Sequence, residues 1–147
     1  MTGRDRILGA MQIFPADNPW NEDISDRPVH PDSAAIIASI GADKPLGYNL
    51  DMNFVIVPAD YPRVPVRILD YPAESDPGPF PIPPNAPIEG GPNADGDRHL
   101  LVLDKDNRRL YELFDAHPVA GGGWHAGSGA VFDLTSNTLR PAGWTSA

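Results

Sequence analysis

The run Asp95-Gly96-Asp97-Arg98-His99 has the clearest chemical content in this sequence. Gly96 permits a sharp turn, after which Asp97 and His99, two residues apart, would share one face of a starting strand. A carboxylate beside an imidazole can orient a general base or fix the tautomer of a metal-ligating histidine. The plainer reading has Asp97 capping the turn and His99 packed at a strand end. His125 follows Gly121-Gly122-Gly123 and Trp124. If His99 and His125 converge with Asp97 or Asp115, they would make a nitrogen–oxygen site for a divalent metal. Apart from that ion, no cofactor is expected.

Glu112 sits in mid-strand between Tyr111 and Leu113, where a carboxylate either serves chemistry or faces water on the polar side of a sheet. Glycoside hydrolysis needs two carboxyl groups, about 5–5.5 Å apart for retention or about 6.5–9.5 Å for inversion. Asp97 and Glu112 are the expected acid/base pair, with His99 and His125 as positioning or proton-transfer groups. Trp20, Trp124 and Trp144, with Tyr61, Tyr71 and Tyr111, offer flat rings that could stack on sugars. Trp124, beside glycines at a strand edge, is the first choice, with Tyr111 second; the plainer role of such rings is core packing. The chain lacks a nucleophile elbow, a phosphate-binding loop, a dinucleotide fingerprint and an HExxH zinc motif.

The elements that would position these residues read mainly as β-structure. Eighteen prolines in 147 residues limit long helices and favour turns, strand edges and extended loops. One helix is expected after Pro31, ending at Gly41, with Ile36, Ile37 and Ile40 forming an apolar stripe for packing on a sheet. Asn53–Pro58 and Val64–Leu69 are β-branched and apolar, as strands are. Tyr71–Pro92 holds eight prolines with Phe80, Ile82 and Ile88 spaced between them, an extended arm docked on the body. Arg98–Asp104 and Leu110–Asp115 flank the polar turn Lys105–Arg109 as a hairpin. Trp124–Leu134 would add a third antiparallel strand. Period two places Gly127 and Gly129 on one face, where a ligand, another sheet or the proline-rich arm could approach closely. The expected fold is an antiparallel β-sandwich or jelly-roll-like domain over residues 13–147, preceded by a flexible segment 1–12.

A formal charge of −9 argues against nucleic acid, whose binding draws on clustered Lys and Arg. The basic group Lys105, Arg108 and Arg109 reads as a solvated hairpin tip. Without cysteine there is no disulfide or thiolate chemistry. No apolar run approaches the ~18 residues of a membrane span, and the Ile7–Ala10 stretch is too short for a signal-peptide core.

Four segments are long and specific: FPADNPWN (Phe14–Asn21), ESDPGPFPIPPNAPIEGG (Glu74–Gly91), GDRHLLVLD (Gly96–Asp104) and GSGAVFDLTSN (Gly127–Asn137). Together they resemble a family of uncharacterised secreted proteins from environmental bacteria. The resemblance covers most of the chain from Phe14 onward and fits least over Gly41–Asn53. It implies an extracellular or periplasmic setting, and that relatives continue past RPAGWTSA, so that this chain is the first part of a longer β-rich protein. It supplies no catalytic residue. The expected function is an extracellular carbohydrate-active enzyme, a polysaccharide hydrolase. Its alternative is a non-catalytic carbohydrate-binding or structural module of a secreted assembly. The partner in either case is a polysaccharide or another extracellular small ligand.

Overall fold

The computed structural model describes residues 9–45, 47 and 52–145. Residues 1–8 of the expected flexible segment lie outside that range. The order of elements is helix α1 (Ser33–Ile40), strands β1 (Phe54–Val57) and β2 (Val66–Ile68), a 3-10 turn (Pro72–Glu74), then β3 (Leu100–Asp104), β4 (Arg109–Phe114), β5 (His117–Pro118), β6 (Trp124–Ala126) and β7 (Ser128–Asp133). They form a four-stranded sheet of order β1-β3-β4-β7 and a three-stranded sheet of order β2-β6-β5.

The protein is mainly β, and both sheets are mixed. The expected all-antiparallel arrangement is corrected, because β1 runs parallel to β3 and β2 parallel to β6. Parallel neighbours need a long crossover. Here β1 reaches β3 only after β2 and the proline-rich stretch have intervened. The β3–β4 hairpin forms where the sequence places it. Asp104 closes its turn by accepting the Asn107 backbone N–H at 3.0 Å and the Asn107 side-chain amide at 2.8 Å.

Cross-strand register sorts the side chains of the larger sheet. Val55, Val102, Tyr111 and Val131 form one row, and Leu100, Leu113 and Gly129 lie on the same face. That face belongs to a buried cluster that also contains Trp124 and Ala126 of the smaller sheet and Phe80, Ile82, Ala86 and Ile88 of the proline-rich stretch. The opposite face carries Phe54, Leu101, Glu112 and Ala130 in one row.

Two further expectations change. The stretch 124–134 is divided at Gly127, where the chain passes from the smaller sheet to the larger. A Cβ on Gly127 would stand 2.8 Å from the Asp70 carboxylate and 2.9 Å from the Phe114 ring. On Gly129 it would meet Ile68 at 3.2 Å, Leu113 at 3.3 Å and Phe80 at 3.4 Å. What approaches Gly129 is therefore the other sheet and the proline-rich stretch. The helix differs more. α1 buries none of its side chains, and Ile36, Ile37 and Ile40 stay about half exposed. Its amphipathic stripe exists, but the described residues place no sheet against it.

Candidate functional site

Asp97 and His99 do not pair. Arg98 between them adopts φ +50°, which turns the chain, and Asp97 is exposed. The Asp97 carbonyl accepts the Asp115 backbone N–H at 2.8 Å. His99 instead meets Glu89, with 2.6 Å between His99 Nδ1 and Glu89 Oε2. The Glu89 backbone N–H also donates to the His99 carbonyl at 2.9 Å, so the turn ending the proline-rich stretch is fastened to the residue before β3. The His99 ring tilts against Phe114 at 5.9 Å.

Glu112 lies in β4, opposite Leu101 of β3 and Ala130 of β7. Burial pushes its carboxyl above the ordinary range, while the positive charges of His99 and Arg140 pull it partly back. Glu112, His99 and Arg140 thus act on one another electrostatically. Arg140 was not singled out by the sequence, although it organises this region. Its Nη1 pairs with Asp76 at 2.5 Å and its Nη2 donates to the Glu74 carbonyl at 2.8 Å. The guanidinium lies over the Trp144 ring at 5.4 Å. Asp76 in turn accepts the Val131 N–H at 2.8 Å, and Ser75 Oγ accepts the Gly129 N–H at 3.1 Å. These contacts satisfy the outer edge of β7, a row of backbone groups that would otherwise invite another strand.

His125 sits elsewhere. It is in β6, flanked across the smaller sheet by Arg67 and by His117, and His117 Nε2 is 2.7 Å from Asp115 Oδ1. His99 and His125 therefore belong to different clusters. Among the described residues, no group of three or more His, Asp or Glu side chains is placed to hold a metal ion. The two expected sugar contacts are buried: Trp124 is 4% exposed and Tyr111 is 3% exposed. Tyr111 spends its hydroxyl on Arg63, which donates to it from Nη2 at 2.9 Å.

The exposed aromatics among the described residues include Tyr71, at 44%, and the other two tryptophans. Trp20 is 89% exposed and Trp144 is 37% exposed. Both line a 460 Å³ groove with Phe14, Phe132, Asn18 and Asn137. The sequence named both rings among its platforms. Only the fold joins them, because they are separated by nearly the whole chain. An amide relay makes the junction. Asn18 accepts the Trp20 N–H at 3.0 Å and donates from Nδ2 to Asn137 Oδ1 at 2.8 Å. Asn137 Nδ2 then donates to Asp17 at 2.9 Å. The groove continues past Arg140 into a smaller hollow at Arg109 and Asp133, and from there to a pocket at Arg63 and Tyr111.

Among the described residues no helix is long and apolar enough to cross a membrane. No protein-family model, no curated protein and no solved structure matches the chain.

Proposed function

We propose that the chain is an extracytoplasmic carbohydrate-binding protein whose sugar contact is the groove between Trp20 and Trp144. The carrying observation is the pairing of these two exposed indoles in one groove beside the amide side chains of Asn18 and Asn137. An indole held in water exposes a large apolar face at a free-energy cost. A sugar ring covers such a face with its C–H side, while amides bond its hydroxyls. The Arg140 guanidinium lies against the Trp144 ring, and the Asn18 side chain anchors the Trp20 backbone, which lowers the ordering cost of binding. The extracytoplasmic setting rests on the resemblance of the four sequence segments. On the same reading the two sheets are the layers of a β-sandwich, with the proline-rich arm filling one side of its core.

A second reading, a polysaccharide hydrolase, is favoured by Glu112. Its burial keeps the carboxyl protonated to higher pH than usual, as a general acid requires. Titration of a polysaccharide panel, followed by tryptophan fluorescence and by release of reducing ends, tests both readings. The binding reading expects fluorescence changes with at least one polysaccharide, weakened at least tenfold in Trp20→Ala and Trp144→Ala. Binding unaffected by both substitutions would remove the groove as the site. Reducing ends that appear with wild type and vanish in Glu112→Gln would promote the hydrolase reading.

A further inference from the structure

We propose that the pocket formed by Arg63 and Arg109 binds a compact oxyanion, a phosphate or sulfate group, independently of any carbohydrate in the tryptophan groove. The pocket measures 440 Å³, and its lining includes Arg63, Asn107, Arg109 and Tyr111 but no carboxylate residue. Two arginines lining one cavity are conspicuous in a chain with only 11 Lys and Arg against 20 Asp and Glu.

Their donors are largely unspent. A guanidinium carries five N–H donors in a planar fork that matches a tetrahedral or planar oxyanion. Arg63 uses Nη1 on the Pro79 carbonyl at 3.2 Å and Nη2 on the Tyr111 hydroxyl at 2.9 Å. These partners are neutral, and its Cζ lies 5.4 Å from the Tyr111 ring centre, so the side chain is held in place without being neutralised. Among the described residues Arg109 has a single loose ion pair, with Asp133 at 3.6 Å.

The acids nearby are already occupied by other donors. Asp76 is taken by Arg140 and the Val131 N–H, and Asp104 by Asn107. Asp133 accepts from the Thr135 N–H at 2.9 Å and the Thr135 hydroxyl at 2.6 Å, which hold its carboxyl below the ordinary range. Those carboxylate oxygens thus have nearer donors than the two arginines, whose remaining N–H groups are left for another acceptor. A dianion there would gain charge-assisted hydrogen bonds from both forks without having to break a tight ion pair.

The test is isothermal titration of the full chain with inorganic phosphate and, separately, sulfate, at constant ionic strength set with chloride. Saturable one-to-one binding of phosphate or sulfate is expected, with sulfate separating charge recognition from recognition of a protonatable anion. Arg109→Gln, an exposed substitution that leaves the core intact, should weaken binding at least tenfold. Arg63→Gln should do the same, and Arg63→Lys should keep part of it. Arg67→Gln, at a surface arginine of the other sheet, should bind as wild type. Absence of saturable binding by either anion overturns the proposal. So does unchanged affinity in Arg109→Gln, or an equal loss in Arg67→Gln.

Discussion

Asn18 and Asn137, 119 positions apart, are joined by a side-chain amide bond of 2.8 Å. Asn18 is nine-tenths buried and also holds the Trp20 backbone, so this contact ties the segment that carries Trp20 to the segment that carries Asn137. Asn18→Ala removes two side-chain hydrogen bonds, each contributing about 0.5–1.5 kcal/mol. We expect a stability loss of about 1–2 kcal/mol by urea denaturation. Polysaccharide affinity should fall by more than that loss explains at temperatures where the variant is folded. Trp20→Ala, by contrast, should leave stability within about 0.5 kcal/mol of wild type, since it removes an exposed ring.

Glu112 gives a pH dependence of defined sign. Burial holds its carboxyl pKa higher in the folded state than in the unfolded chain. The folded state then keeps the proton more tightly, so its contribution is fully present below the unfolded value and is lost as pH rises through the folded one. The stability of wild type relative to Glu112→Gln should fall as pH rises from the ordinary carboxylate range toward neutrality, and then level off. Denaturation of both proteins across pH 3–8 (about the span in which carboxyl and imidazole groups titrate) measures this. A difference that grows with pH would reverse the assignment.

Arg98 is 5% exposed, and among the described residues its side chain is satisfied by carbonyl oxygens. Nε and Nη2 donate to the Ala116 carbonyl at 3.2 and 3.1 Å, and Nη1 to those of Pro92 and Ala94 at 3.2 and 2.7 Å. It thereby ties the end of the proline-rich stretch to the link between β4 and β5. Arg98→Met fills the space but strands three acceptors, and should cost about 3 kcal/mol. Arg98→Lys should be intermediate, because one ammonium cannot span all three carbonyls. Chemical denaturation of the two variants would show this ranking.

The triple glycine separates two causes of glycine dependence. Gly122 and Gly123 both have positive φ, at 105° and 91°. A Cβ on Gly122 meets nothing within 4 Å, whereas on Gly123 it would lie 2.8 Å from the Pro65 carbonyl oxygen, a backbone atom. Alanine at either site carries conformational strain of about 1–3 kcal/mol. At Gly123 it must also displace the backbone just before β2, where the Pro65 carbonyl accepts the Trp124 N–H at 3.0 Å. Gly123→Ala should therefore be less stable than Gly122→Ala by at least about 1 kcal/mol. Equal losses would mean that strain alone explains both.

The sequence by itself determined the local elements. The β3–β4 hairpin follows from apolar runs on either side of a polar turn, and the β-branched stretches before it became β1 and β2. The buried Phe80, Ile82 and Ile88 could be anticipated from their spacing between prolines. These features depend on neighbours a few residues apart, which one chain displays directly. Tertiary structure decided everything that depends on which distant segments meet. Asp97 looked like the partner of His99, but the positive φ of Arg98 turned it away and the chain returned Glu89 to the imidazole. Trp124 looked exposed beside its glycines, yet the strand crossed between sheets at Gly127 and put the ring in the core. Trp20 and Trp144 were visible as aromatics, and only the Asn18–Asn137 bond made them one groove. Periodicity assigns a residue to a face of its own element. What covers that face is set by the packing of elements far apart in the chain, and there the candidate sites were decided.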